Sequence, residues 1–238
     1  MRKSGLTSSI MIDIESKREG IQKNLTEWGK DNFRQFQWRQ SRTPYSVLIS
    51  ELLLKRTTAK AVKGVFKEFM CLYPNLGALS QAEARELERF LSKIGYHKQR
   101  TKILVDLANY ILIKHSGEIP RSKEDLLEIP NIGDYTANAI LSLGYGIPSA
   151  MVDSNVERIL GRVFLKHLSK RTHSMIQRVA ESLAPTKDNQ DYNYALLDLG
   201  ALACKYGRPR CNLCPISKFC DYYMLGKPHS NPSCQSSQ

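Results

Sequence analysis

Four cysteines fall within one short segment, Cys204, Cys211, Cys214 and Cys220, in the spacing C-x6-C-x2-C-x5-C. In a cytosolic setting such clustering points to a metal centre rather than to disulfides. Four thiolates suit either zinc or an iron–sulfur cluster. Zinc sites usually come as two knuckles across a longer loop. One CxxC flanked by loops of six and five residues favours wrapping around a larger, cubic [4Fe–4S] cluster. Cys71 and Cys234 stand apart and read as a small buried residue and a tail thiol. Asp153 immediately precedes the apolar positions Val156, Ile159, Leu160 and Val163. It therefore reads as a helix N-cap, where the helix dipole and free amides keep a carboxylate ionised. Glu51 lies inside the run Val47-Leu48-Ile49-Ser50-Glu51-Leu52-Leu53-Leu54. That apolar setting would raise its pKa and keep it partly protonated, unless it snorkels or finds a cation.

These residues need elements to place them, and the periodicity predicts helices almost throughout. Thr43-Pro44 is a helix start, with Thr43 as N-cap and Pro44 at the first helical position. The apolar run to Leu54 follows, and the basic stretch from Lys55 to Phe69 is expected to continue it. Segments near 81–92, 99–114, 122–128, 134–144, 154–165 and 172–184 show apolar residues three and four apart. Ser122 with Asp125 resembles a capping box. Between the segments near 122–128 and 134–144 runs Ile129-Pro130-Asn131-Ile132-Gly133-Asp134. Gly and Asn tolerate positive φ, so a tight hairpin fits here, with backbone N–H groups able to face a phosphate. No strand alternation competes, so the expected fold class is all-α. The polar, Ser-rich segment 229–238 reads as a frayed tail.

The chain has 238 residues, with 35 Lys+Arg against 23 Asp+Glu and a formal net charge of +12. This length holds one substantial core or two modest lobes. With 42% apolar and 24% charged residues, the composition excludes a disordered or collagen-like chain. No apolar stretch approaches the roughly 20 residues of a membrane span. The run Ile10-Met11-Ile12, broken by Asp13, is too short for a signal peptide, so a cytoplasmic location is expected, at the nucleoid in a prokaryote. The charge surplus favours a polyanionic partner, nucleic acid first. Lys205, Arg208 and Arg210, in the loop between the first two cluster cysteines, are candidates to grip backbone phosphates.

Taken together, Ile129-Pro130-Asn131-Ile132-Gly133-Asp134-Tyr135-Thr136-Ala137, then Met151-Val152-Asp153-Ser154-Asn155-Val156, then the four-cysteine array, resemble the helix-hairpin-helix DNA glycosylases of the endonuclease III superfamily. The resemblance spans roughly residues 36–221. It implies a six-helix lobe at about 41–147, faced by a lobe made from residues 1–40 and 148–228 that carries a [4Fe–4S] cluster. Double-stranded DNA would lie across the cleft mouth, with one nucleotide extruded into it. The hairpin residues Asn131, Ile132 and Gly133 would hold backbone phosphate. Asn131 stands where the family usually has a glycine, and Asp134 is an acid where relatives are often basic or neutral.

The resemblance also assigns roles. Asp153 takes the place of the family's catalytic aspartate, which stabilises the oxocarbenium-like sugar or activates water. Tyr135 stands where bifunctional relatives carry a Schiff-base lysine; a phenol cannot form that imine, so a monofunctional hydrolase is implied. Glu51 matches a glutamate that donates to the departing base. The stretches Trp38-Arg39-Gln40-Ser41-Arg42-Thr43-Pro44-Tyr45 and Glu51 to Ala59 look like the mismatch-specific thymine glycosylases. Arg56 is then the candidate wedge, with Lys55 beside it, Tyr96 at a second intercalating position and His97 near phosphate. Lys60, Lys63 and Lys67 read as a solvated face. Adenine glycosylases typically carry glutamines at the positions of Lys55 and Arg56 and an extra C-terminal domain. This chain ends eighteen residues after Cys220, without room for it. The expected activity is removal of thymine or uracil opposite guanine, by a monomer. Two alternatives stay open: adenine removal opposite 8-oxoguanine, and a non-catalytic iron–sulfur protein that binds DNA or senses redox state.

Overall fold

A computed structural model describes residues 6–168 and 172–226. The expected tail over 229–238 and Cys234 lie outside them. Among the described residues only helices and connecting turns occur, and no helix is long and apolar enough to cross a membrane. The chain divides into two compact units, one from Met1–Arg34 with Ala150–Gln238, the other Gln35–Ser149.

The second unit holds α2 (Pro44–Leu54), α3 (Ala59–Lys63), α4 (Phe66–Leu72), α5 (Leu76–Ser80), α6 (Ala84–Leu91), α7 (His97–Lys114), α8 (Lys123–Glu128) and α9 (Asp134–Ala139); α1 (Ser8–Asn32) belongs to the first unit. Thr43 caps α2 by accepting from the Ser46 amide at 3.1 Å. Ser122 caps α8 from the Asp125 amide at 3.1 Å. The α9 chain winds on as one wider π turn, Ile140–Gly144. A Cβ on Gly144 would stand 2.8 Å from the Pro44 Cα, so glycine is what lets this turn lie against the start of α2.

Basic residues after Leu54 do not continue α2, contrary to expectation. The helix stops at Leu54, Lys55 turns extended, and Arg56 adopts φ 56° before Thr58 caps α3 from the Ala61 amide. Cys71, expected to be buried, is exposed on α4.

In the first unit, α1 buries Ile10, Ile14, Ile21 and Leu25 along one stripe, the i, i+4 pattern of an amphipathic helix. It packs beside α12 (Asn189–Leu202) and α11 (His173–Leu183), with α10 (Ser154–Val163) completing the core through Val156, Ile159, Leu160 and Val163. Lys17, in the same stripe of α1, reaches the buried Asp221 at 3.0 Å. Asp221 opens the short α13 (Asp221–Met224) directly after Cys220. This ion pair ties the N-terminal helix to the end of the cysteine segment.

Candidate functional site

Asp153 caps α10. Its Oδ1 accepts from the amides of Asn155 at 2.9 Å and Val156 at 2.8 Å, which are among the orphan donors of the first turn. Its Oδ2 accepts from the Asn155 side-chain amide at 2.7 Å. The Asn155 Oδ1 in turn accepts from Arg158 Nη2 at 2.9 Å, and Arg158 also donates to the carbonyls of Gly200 at 3.0 Å and Cys204 at 2.8 Å. A continuous chain of hydrogen bonds thus runs from the half-buried carboxylate to the backbone of the first clustered cysteine. It fixes the carboxylate's rotamer and gives it three donors, the arrangement of a preorganised anion.

The four clustered cysteines line one small cavity with Arg162, Pro209 and Tyr222. Burial pushes the Cys214 thiol up to about 12, and it raises Cys211 and Cys220 as well, with neighbouring cysteines adding to the cost of each negative charge. The Ile216 amide faces the Cys214 sulfur, and the Tyr222 and Tyr223 amides face that of Cys220. Arg162 Nη1 lies 3.2 Å from the Cys204 sulfur. Clustered sulfurs that amide and guanidinium N–H donors already face fit a metal–sulfur centre, whose binding would displace the protons of the raised thiols. Among the described residues no three His, Cys, Asp or Glu side chains converge to hold a single metal ion. In the loop that follows Cys204, Lys205, Arg208 and Arg210 are all exposed around Tyr206, which is 88% exposed.

In the second unit, Leu52, Lys55, Arg56, Tyr96, Arg100, Ile103 and Asn131 line a pocket of about 270 Å³. Arg56 Nη1 donates to the Tyr96 hydroxyl at 2.9 Å, and its guanidinium lies 5.0 Å from the ring centroid. Lys55 Nζ donates to the Asn131 carbonyl at 2.6 Å. Burial lowers the Lys55 pKa, partly offset by the nearby Glu51 carboxylate. Arg56, Tyr96 and Asn131 have φ of 56°, 55° and 69°, so three left-handed non-glycine residues surround one pocket. Such backbone costs about 1–3 kcal/mol per residue and gathers at functional sites.

The hairpin between α8 and α9 turns on Asn131 rather than on Gly133, whose backbone is extended. Ile132 is buried and its amide donates to the Ile129 carbonyl at 3.1 Å, so it supports the turn from within. A Cβ on Gly133 would meet nothing within 4 Å; the missing side chain leaves the turn open to an approaching group. Asp134 pairs with Lys123 at 2.8 Å, which offsets the acid next to the turn. Glu51 on α2 and Tyr135 on α9 are half-buried, as is His97 at the start of α7.

Sequence reasoning did not single out Arg100, Asn155, Arg158 or Gly200 as site residues. Arg100 falls in the basic stretch that follows Tyr96, yet it is only 3% exposed. Asn155 and Arg158, three apart on the helix that Asp153 caps, carried a readable signal, since i and i+3 share a face. Gly200 becomes legible only in three dimensions, where a Cβ would stand 2.6 Å from that of Asn155.

Residues 49–186 match the model of the HhH-GPD superfamily of base excision DNA repair proteins. The chain belongs to that family. Among HhH-GPD proteins it is 35% identical to the thymine/uracil-DNA glycosylase of Methanothermobacter thermautotrophicus, over 84% of this chain and 90% of that one. It is likewise 35% identical to the thymine-DNA glycosylase of Aeropyrum pernix, over 86% and 95%. The solved structure of a thermostable thymine-DNA glycosylase superposes with a TM-score of 0.85 at 32% identity, covering 89% of this chain and 98% of that one. The HhH-GPD match includes the hairpin, Asp153 and the Lys55–Arg56 segment but ends before the first clustered cysteine.

Proposed function

We propose that the chain is a monofunctional DNA N-glycosylase of base excision repair that removes thymine or uracil mispaired with guanine. The observation that carries this reading is the near full-length likeness to two relatives named for these bases. Double-stranded DNA is the partner and the protein acts as a monomer. In the reaction the C1′–N1 bond breaks, water supplies the hydroxyl that C1′ gains, and its proton leaves with the base. Asp153, held by Asn155, stabilises the positive charge that develops on the sugar or takes the proton of the attacking water. Tyr135 offers no amine, so no imine forms and the strand stays intact. Glu51 holds the edge of the departing base or gives it a proton.

Arg56 and Tyr96 enter the duplex where the nucleotide leaves it, and Lys55 holds their loop to the hairpin. The open turn at Asn131 and Gly133, with His97, Lys205, Arg208 and Arg210, meets backbone phosphate, which supplies affinity but no base choice. Cys204, Cys211, Cys214 and Cys220 would hold a [4Fe–4S] cluster, supported by the one small cavity that all four line, Cys220 buried and the other three half-buried. A cluster held there would fix the basic loop that runs from Cys204 to Cys211. The protein works in the cytoplasm, on the nucleoid in a prokaryote.

A panel of duplexes with single G·T, G·U, A·T and 8-oxoguanine·A pairs, read for abasic sites with and without alkali, tests the reading. Release from G·T and G·U, with strand breaks only after alkali, is expected. Release confined to adenine would replace it with the adenine glycosylase alternative.

A further inference from the structure

Arg100 carries a buried charge that the reaction as described leaves without a role. Its guanidinium donates from Nη1 to the carbonyls of Leu52 at 2.5 Å and Leu53 at 3.1 Å, and from Nη2 to that of Lys55 at 3.0 Å. Its Nε is buried without a partner. Burial lowers its pKa and no carboxylate counters this. A cation answered by carbonyls alone is an expensive way to end a helix, since water or a local turn can satisfy last-turn carbonyls. The fork geometry gives something in return: it fixes where those carbonyls stand, which a single ammonium cannot do.

Those carbonyls belong to the residues just before Arg56. They mark the point where α2 stops, Lys55 turns extended and Arg56 enters the left-handed region. The backbone of Arg100 meanwhile sits one turn after Tyr96, its amide donating to the Tyr96 carbonyl at 2.9 Å. A single residue thus holds the base of Arg56 through its side chain and the base of Tyr96 through its main chain. The 2.9 Å bond between the Arg56 guanidinium and the Tyr96 hydroxyl closes the ring.

We propose that Arg100 is a positioning residue that sets the Arg56–Tyr96 pair as one preformed unit for entry into the duplex. It touches neither the reacting sugar nor the base. This inference rests on the glycosylase reading and on the wedge role of Arg56 within it. Without the fork, the segment 55–57 keeps its tie to the hairpin, the Lys55 bond to the Asn131 carbonyl, but loses the hold on its backbone, and Arg56 must be ordered at the moment of binding.

The test is a double-mutant cycle in the full-length protein, read as single-turnover base release from a G·T duplex, with thermal unfolding alongside. Arg100→Met keeps the stem and removes the fork. It is expected to slow release by about 100-fold, as an ångström-scale misplacement does. On an Arg56→Ala background it is expected to slow release no further, because the residue it positions is gone. Arg100→Lys should recover only part of the loss. Were Arg100→Met to fail to fold, the same cycle run with Arg100→Lys decides the matter. Losses that multiply in the double variant would overturn the proposal and leave Arg100 a structural cap. So would a parent-like rate in Arg100→Met or in Arg56→Ala. A parent protein that releases no base from any duplex would instead overturn the glycosylase reading beneath it.

Discussion

Asn155 grips Asp153 twice, by its backbone amide at Oδ1 and by its side-chain amide at Oδ2, at 2.9 and 2.7 Å. The carboxylate therefore has both oxygens committed within its own helix turn, and its orientation is passed on to Arg158 and the Cys204 backbone.

Removing the Asn155 side chain tests that grip. Asn155→Ala leaves the backbone cap in place but takes one donor from Oδ2. Hydrogen bonds to charged groups contribute about 1.5–3 kcal/mol. Single-turnover base release should fall by about 10- to 100-fold, with DNA affinity in a gel-shift assay retained. An equal loss in affinity and rate would show that Asn155 shapes the binding surface instead.

Gly200 gives a steric version of the same experiment. A methyl group there would press on the Asn155 Cβ at 2.6 Å, and overpacking of this kind costs about 1–3 kcal/mol. Gly200→Ala should lower the unfolding temperature and slow base release together, whereas alanine would normally favour a helix interior over glycine. A more stable and fully active variant would mean that α12 shifts without disturbing Asn155.

Much of this arrangement was legible in the sequence, and the exceptions have physical causes. Thr43-Pro44, Ser122 with Asp125, and Asp153 are local signals, and each caps the helix it precedes. The break after Leu54 was not legible, because no glycine or proline marks it. Arg100, 45 or more residues away in sequence, takes the carbonyls that would otherwise run on into the helix. Helix α1 escaped notice because Lys17 and Gly29 interrupt its apolar stripe. Both are buried for tertiary reasons, Lys17 by Asp221 and Gly29 where a Cβ would collide with Phe33. In the hairpin, the left-handed residue is Asn131 although glycine is the more tolerant type.

Tyr135 marks the reaction subtype. The parent protein, incubated with G·U duplex and borohydride, should yield no covalent protein–DNA adduct. Tyr135→Lys restores an amine at that position and should yield one on a denaturing gel. An adduct with the parent would contradict the monofunctional assignment.

The cysteine segment makes an analytical prediction. Protein purified without oxygen should carry iron and sulfide and show visible absorbance. Cys214→Ser should lose both and unfold at lower temperature, since the segment is tied to α1 through Lys17 and Asp221 and metal binding is folding free energy. Zinc in place of iron in the purified protein would favour the other ligation chemistry.

Asp153→Asn is the most direct measurement. Asparagine caps a helix about as well as aspartate, so folding should be unchanged while the negative charge is removed. Single-turnover release of thymine from G·T duplex should fall by at least about 100-fold, the usual loss for a group that stabilises transition-state charge, with duplex binding kept. Release at the parent's rate would contradict the account at its centre.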